Sequence, residues 1–238
     1  MILLISCADE QLTFTQKTFQ KQLTLPNAKD TTTVEVDIPV ADGKTIVADS
    51  INNKIFSVVK EIIYLENESF TSKDYNLLLK SFIGSYQQFV HDFPDYTTPW
   101  DANVKGKITY QTAAVLNIEI DHYSFTGGAH GNGGLRSIII DPKTGKTIPN
   151  DSLFKNKKEF KAFAEKQFRT KYKIPANNPI NSTGLQFENE KFQLPQNIFY
   201  TDKGLLLYYN QYEVASYVDG PKELLLPYTE VDPFLNFK

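Results

Sequence analysis

The chain has 238 residues, which is enough for one large domain or two modest ones, each able to bury an adequate core. Its 25 basic and 28 acidic residues give a net charge of −3 without long runs of one sign, which argues against a nucleic-acid partner. No stretch of about 18 apolar residues occurs in the sequence, which excludes a membrane-spanning helix within it.

The N-terminus, MILLISC, contains the only cysteine of the chain, Cys7, so no internal disulfide can form. Leu4 to Cys7 resembles a bacterial lipobox, in which a signal peptidase cuts before a cysteine that is then lipidated. We therefore expect residues 1–6 to be the remnant of a lipoprotein signal peptide, Cys7 to be the lipidation site and residues 7–13 to be a linker. The apolar core of a signal peptide needs roughly 7–15 residues, so either the start is truncated or the match is accidental. The alternative is a buried or free N-terminal thiol in a cytoplasmic protein.

The elements that follow the linker are predicted to be a hairpin and two helices. Apolar and polar residues alternate at 19–25 and again at 34–38, as expected for two strands that each cover one face. The first helix is predicted to begin behind the capping residues Asp49-Ser50. The second begins at the capping-box pattern of residues 71–74 and ends at Pro94.

The second half of the chain is predicted to contain more strands than helix. Alternation resumes at Lys105 and indicates an antiparallel meander, in which the phase places His122 at the end of an apolar row. We interpret His122 as a hydrogen-bonded core histidine rather than a ligand. A capping box at 156–159 opens a third helix, and residues 197–231 predict three strands around an Asp-Lys-Gly turn and an aromatic loop. The order of these predicted strands and helices along the chain predicts an α+β fold of two subdomains, residues 14–133 and 134–238, with antiparallel sheets packed by helices.

Several kinds of catalytic and metal site are missing from the sequence as local motifs. There is no G-x-S-x-G string, and the three histidines form no HxH or HExxH pattern. Glu119 and Asp121 share a strand face, but with 28 acidic residues in the chain such a pair is more simply a solvated face. We therefore predict no catalytic residues, no metal site and no cofactor.

The stretch YSFTGGAHGNGG, residues 123–134, holds five of the twelve glycines and His130. The glycines match neither GxxxxGK[ST] nor GxGxxG, so a phosphate-binding loop is not predicted. Dense glycine permits positive φ, a close approach of another backbone, and an anion-accepting nest of N–H groups. The simplest interpretation is a tight crossover that His130 fixes by hydrogen bonds, and the second is an exposed binding loop. Tyrosines are also concentrated between 200 and 228, more densely than a solvated loop requires.

Two motifs resemble one known family. Residues 125–131, FTGGAHG, are similar to the Y-T-G-G-A-H-G signature of the RsiV/PdaC-like envelope proteins, and GLLLYYNQYEVASYVDGPKELLLPYTEV is similar to the end of their C-terminal half. Ile51-Asn52 followed by Ile55 resembles an early I-N-x-x-I helix of the family. The resemblance covers roughly residues 30–238. Phe125 replaces the usual tyrosine, and Leu226-Pro227-Tyr228 replaces the commoner Ile-Pro-Tyr.

The resemblance implies a two-part extracytoplasmic module that performs no chemistry itself. In the family it occurs as the lysozyme-sensing part of an anti-sigma factor and beside a separate polysaccharide deacetylase domain, for which this chain has no room. We expect a lipid-anchored envelope protein, periplasmic or at the outer surface, that binds peptidoglycan, a related glycan or a wall-cleaving protein such as lysozyme. The candidate contact residues are Thr126, Gly127, Gly128, His130, Gly131, Tyr208, Tyr209, Tyr212 and Tyr217.

Two rival hypotheses stay open at this point. One is a metal-assisted glycan hydrolase or deacetylase that uses His122 or His130, assembled from separate segments of the chain. The other is a purely structural role without any glycan or lysozyme binding.

Overall fold

The computed structural model describes residues 12–26, 30–43 and 45–238, so the predicted lipidation site Cys7 lies outside the described residues. These residues form eight strands and four α-helices. The strands are β1 (Phe14–Leu23), β2 (Thr32–Ala41), β3 (Asp101–Gln111), β4 (Leu116–Phe125), β5 (Asn132–Ile140), β6 (Asn197–Tyr200), β7 (Gly204–Tyr209) and β8 (Lys222–Pro227). The helices are α1 (Ile46–Ile63), α2 (Tyr75–Asp92), α3 (Lys157–Lys171) and the single turn α4 (Tyr228–Val231). None of the described helices is long and apolar enough to cross a membrane.

The strands form two sheets, which confirms the predicted α+β fold. The larger sheet has the order β1-β2-β3-β4-β5, and the smaller sheet has the order β6-β7-β8. All neighbours are antiparallel except β2 and β3, which are parallel. The parallel pair follows from the connection between them, since α1 and α2 carry the chain across the sheet before β3 begins.

Two cores lie on opposite faces of the larger sheet. The first is enclosed between that sheet and helices α1 and α2, and the second includes side chains from β6, β7, β8 and α3. Strand β5 contributes to both cores because successive side chains of a strand point to opposite faces. Ile138 and Ile140 lie in the first core, and Ile139 lies in the second. The predicted division between residues 133 and 134 falls within this strand.

Buried amide side chains join the two sheets. Asn117 of β4 is fully buried. Its Oδ1 accepts from the Tyr200 N–H of β6 at 2.6 Å, and its Nδ2 donates to Ser137 Oγ at 2.9 Å and to the Ile138 carbonyl at 3.1 Å. The Asn197 side chain accepts from the Ser137 N–H at 3.0 Å. A hydrogen-bonded seam therefore fixes the smaller sheet against β4 and β5.

Three local predictions differ from the structure. Helix α1 is capped by Thr45, whose side chain accepts from the Ala48 N–H, so the predicted cap at Asp49-Ser50 is wrong and Asp49 lies in the first turn instead. Helix α2 is capped by Asp74, the last residue of the predicted capping box. The third predicted strand of the tail ends at Pro227, and the chain continues as the single turn α4 with Pro227 as its N-cap residue.

The chain enters the larger sheet at the end opposite to the glycine-rich loop. The Gln111 side chain, at the end of β3, donates to the Leu12 carbonyl at 3.0 Å. Gln111 pairs with Leu116, the first residue of β4, whereas residues 126–131 follow the last residue of β4.

Candidate functional site

Two loops from the two halves of the chain meet at one end of the larger sheet. The first is the six-residue loop 126–131, which joins β4 to β5 as a hairpin, and the second is the segment 210–221 between β7 and β8. Three rings of these loops pack together: His130 lies 4.3 Å from Tyr217 between ring centroids, in a stacked arrangement, and 6.3 Å from Tyr212. Tyr212 and Tyr217 are 5.6 Å apart. We call His130, Tyr212 and Tyr217 the ring cluster.

Hydrogen bonds fix the orientation of the imidazole within the ring cluster. His130 Nδ1 lies 3.0 Å from the Gly131 carbonyl, and Nε2 lies 3.3 Å from the Tyr212 hydroxyl. Both contacts are satisfied by one neutral tautomer, in which Nδ1–H donates to the carbonyl and Nε2 accepts from the tyrosine. The imidazole is therefore held in place by a backbone group on one side and a phenol on the other.

The ring cluster is exposed at its outer edge. Tyr212 is 60% exposed and its neighbour in the same loop, Val218, is 95% exposed. Tyr212 also has a φ of 66°, a left-handed conformation that is uncommon for a bulky residue and that carries strain unless surrounding structure enforces it. The fold thus presents a large ring to solvent from a constrained backbone.

Asn210 attaches the tyrosine-rich loop to β5. Its Oδ1 accepts from the Leu135 N–H at 2.8 Å, and its Nδ2 donates to the Leu135 carbonyl at 2.9 Å, so the amide pairs with β5 in the manner of a neighbouring strand. Glu213 accepts from the Asn210 N–H at 2.9 Å and from the Gln196 N–H at 2.9 Å. This pairing positions Tyr212 and Tyr217 beside the glycine-rich loop.

The glycines permit these close contacts. A Cβ at Gly134 would lie 2.5 Å from Asn210 Oδ1, and a Cβ at Gly131 would lie 2.3 Å from the Tyr123 ring. Gly127 and Gly128 adopt φ values of 102° and 91°, which side-chain-bearing residues rarely adopt. The glycine-rich stretch therefore forms a turn and allows the second loop to approach.

The remaining predicted contact residues do not all reach this surface. Thr126 is half-buried within loop 126–131. Tyr209 is 1% exposed and lies in the second core, and its hydroxyl donates to the Gln193 carbonyl at 2.7 Å. Tyr208 is half-buried on β7 and packs edge-on against Phe199. Burial, followed by the nearby carboxylate of Glu223, raises the pKa of Tyr208. The structure thus brings His130, Tyr212 and Tyr217 together and leaves Tyr208 and Tyr209 outside the ring cluster.

His122 belongs to a different environment from His130. It is 8% exposed, as its position in an apolar row predicted, but its Nδ1 has no hydrogen-bond partner among the described residues. Burial lowers the pKa of His122, the nearby Arg136 lowers it further, and Asp121 opposes the change. His130 is exposed and makes its contacts with loop residues, so the two histidines do not share a site.

The described residues contain no group of three or more His, Cys, Asp or Glu side chains arranged to hold a metal ion.

Asn210 is the important residue of this surface that could not be identified from the sequence. The available signal was weak: an asparagine directly after a predicted strand, and a glycine at 134 that needed a close neighbour.

Two family models match the chain. Residues 26–133 match the model described as Deacetylase PdaC, and residues 151–229 match the model described as Protein of unknown function (DUF3298). No curated protein matches the chain.

Solved structures of the second family share the whole fold. A DUF3298 family member from Bacteroides fragilis is similar with a TM-score of 0.73 at 16% identity, covering 95% of this chain and 94% of that one. A DUF3298 family protein from Pseudomonas aeruginosa PAO1 is similar with a TM-score of 0.65 at 18% identity, covering 96% of each chain. The chain is therefore similar to PdaC at residues 26–133 and to the DUF3298 family at residues 151–229, and its α+β architecture is that of the solved DUF3298 family structures.

Proposed function

We propose that the protein is a non-catalytic binding module of the bacterial cell envelope, and that its contact surface is the ring cluster together with loop 126–131. The observation that carries this proposal is that two loops from different halves of the chain place His130, Tyr212 and Tyr217 in mutual contact at an exposed edge. Tyrosine is enriched at protein interfaces because it buries a large area at a low conformational cost.

The exposed side chains of this surface match the composition of a protein interface. His130 and Tyr217 stack on each other, so each ring covers one face of its neighbour. Tyr212 and Val218 of the same loop are exposed, and aromatic and apolar side chains of this kind are typical of the centre of a protein interface. The partner that we propose is a wall-cleaving enzyme such as lysozyme, on the strength of the family resemblance.

The test is a binding measurement with purified lysozyme and, separately, with purified peptidoglycan. We expect the full chain to bind lysozyme, and Tyr217→Ala to weaken binding by about 30-fold, as truncation of an interface hot spot of about 2 kcal/mol does. Tyr212→Phe removes only the hydroxyl that contacts His130 and should have a smaller effect. Ile46→Ala, which shortens an 87% exposed side chain at the start of α1 and outside both loops, should leave binding unchanged.

Three outcomes would contradict the proposal. Equal binding by the folded Tyr217→Ala variant would place the contact elsewhere, and binding to peptidoglycan without binding to lysozyme would make the surface a glycan site. Turnover of wall material that stops with a chelator, or with His130→Ala, would make the protein an enzyme.

We further propose that the protein is attached to a membrane through lipidated Cys7, because the lipobox-like residues precede a polar segment. Two or three acyl chains at about 0.8 kcal/mol per buried CH₂ are enough for stable anchoring. Expression of the chain with a complete lipoprotein signal peptide placed directly before Cys7 should locate it in the membrane fraction, and Cys7→Ser in the same fusion should release it. Release of both forms alike would argue against the anchor and would leave the ring-cluster proposal unaffected.

A further inference from the structure

Strand β1 presents an open backbone edge at one side of the larger sheet. It is the terminal strand of that sheet, and it pairs with β2 over ten residues without a shift in register. The Asp42 N–H donates to the Thr13 carbonyl at 2.9 Å, so Thr13 and Asp42 form a hydrogen-bonded pair of the ladder. Hydrogen-bonded and non-hydrogen-bonded pairs alternate along antiparallel strands, so the even-numbered residues of β1 direct their N–H and C=O groups away from β2.

This edge differs from the other three edges of the two sheets. Side chains pair with the backbone of each of those: Asn210 with β5, Asn117 with β6 and Tyr172 with β8. Within the described part of the chain, no group pairs with the outward N–H and C=O groups of Phe14, Gln16, Thr18, Gln20 and Gln22. A row of unpaired backbone groups on a long, regular strand is a template to which another strand can add.

The side chains of β1 include two basic groups and no carboxylate. Lys17 and Lys21 are exposed, and neither makes an ion pair with another described residue. Both lie on the same face of the strand as Phe19, because side chains of a strand alternate with a period of two. Phe19 is half-buried and stacks on Tyr75 of α2 at 4.6 Å between ring centroids. This face of the edge therefore carries the order basic, apolar, basic.

An antiparallel strand added to this edge would place side chains directly opposite these three residues. The odd-numbered residues of β1 would form the non-hydrogen-bonded pairs of the new ladder, in which Cα atoms are about 4.5 Å apart and side chains are closest. Opposite charges in such pairs stabilise the ladder, and like charges destabilise it. The complement of β1 is therefore a segment with carboxylates opposite Lys17 and Lys21 and an apolar side chain opposite Phe19.

A second copy of this chain fits the edge poorly. Pairing two β1 strands with their core faces on the same side brings the lysines of both copies onto one face. In every antiparallel register that pairs half of the strand or more, lysines of the two copies become direct or diagonal neighbours. Such like-charged neighbours are unfavourable, so the charge pattern selects an acidic partner over self-association.

We propose that β1 binds an extended segment of a partner protein by strand addition, and that this segment carries acidic residues two positions before and two positions after an apolar residue. Backbone hydrogen bonds to Thr18 and Gln20 supply binding that does not depend on sequence, and ion pairs with Lys17 and Lys21 supply the selectivity.

The probe is the heptapeptide TETVTET with blocked ends, which has the proposed pattern in either chain direction, and its control is TKTVTKT. We expect TETVTET to bind the full chain saturably and to shift the amide resonances of Thr18 and Gln20 in an ¹⁵N-labelled sample, while slowing their hydrogen exchange. We expect TKTVTKT to bind more weakly by about 10-fold or more, because two attractive pairs become repulsive.

Thr18→Pro tests the backbone part of the proposal. Proline is tolerated on an edge strand where the missing N–H faces away from the neighbouring strand, and the variant should weaken TETVTET binding by about 10-fold or more. Thr18→Ala is the matched control, since it loses the same hydroxyl contact with Asp37 but keeps the N–H, and it should bind as the unmodified chain does. Gln20→Pro repeats the test at the next outward residue, so the result does not depend on the folding of one variant.

The double variant Lys17→Glu, Lys21→Glu tests the charge pattern without changing a backbone group. Both side chains are exposed, so the fold should be retained. We expect the preference to reverse, with TKTVTKT binding about 10-fold or more tighter than TETVTET.

The proposal is overturned if TETVTET gives no saturable binding, if the folded proline variants bind it as the unmodified chain does, or if the double variant keeps the original preference. A dimer in sedimentation that becomes a monomer with Thr18→Pro would also overturn it, because the occupant of the edge would then be a second copy. Strand β1 shares no residue with the ring cluster, so each of these results leaves the lysozyme-binding proposal unaffected.

Discussion

Asn117→Ala should lower the free energy of unfolding by about 3 kcal/mol, because the fully buried amide pairs with groups of both sheets. Removing it leaves the Tyr200 N–H and the Ile138 carbonyl without these partners in an interior that water does not reach. Each buried group left unpaired costs about 1–3 kcal/mol. Urea denaturation followed by circular dichroism measures the difference.

Asn132→Ala is the matched control for this change. Asn132 is an exposed asparagine of β5, and substitutions at such positions usually change stability by no more than about 0.5 kcal/mol. If both variants unfold at the same urea concentration, the amide seam does not hold the sheets together and the packing of the two cores does so alone.

Gly204→Ala should destabilise the protein by about 2–5 kcal/mol, since two separate costs combine there. Gly204 begins β7 with a φ of 151°, and a Cβ would lie 2.1 Å from the Leu226 carbonyl oxygen of the neighbouring strand β8. The obstacle is backbone, so β8 itself must shift and its register with β7 is disturbed. Thermal unfolding of the variant measures the effect.

Gly220→Ala separates the steric cost from the conformational one. Gly220 has a φ of 67°, but a Cβ there would meet nothing within 4 Å, so only a penalty of about 1 kcal/mol is expected. Equal destabilisation by the two substitutions would show that the backbone conformation, and not the contact with β8, determines the cost at Gly204.

The elements that depend on local chemistry were predictable from the sequence. The capping box at Asn156 is confirmed, since its side chain accepts from the Lys158 and Glu159 N–H groups while its amide donates to the Glu159 carboxylate. The strand phase that placed His122 on an apolar face is confirmed by its burial. A hydrogen bond was expected for that histidine, but within the described part of the chain its Nδ1 has no partner. Strand phase predicts which face a side chain occupies and does not predict its hydrogen-bond partners.

The features that depend on distant residues were not predictable. Asn117 and Tyr200 are 83 residues apart, and Asn210 and Leu135 are 75 apart, so no local pattern indicates either pairing. The tyrosines show the same limit. Tyr209 and Tyr212 are three positions apart, yet Tyr209 is a core ring at the end of strand β7 and Tyr212 is a 60% exposed ring in a turn with a positive φ.

The direction of β4 separates the N-terminal entry of the chain from the ring cluster. Leu12 lies beside the start of this strand and loop 126–131 follows its last residue, and ten residues of strand at about 3.3 Å each span about 30 Å. If the proposed lipid anchor at Cys7 exists, the membrane attachment and the ring cluster would lie at opposite ends of β4. The proposed contact residues His130, Tyr212 and Tyr217 would then be about the length of this strand away from the attachment.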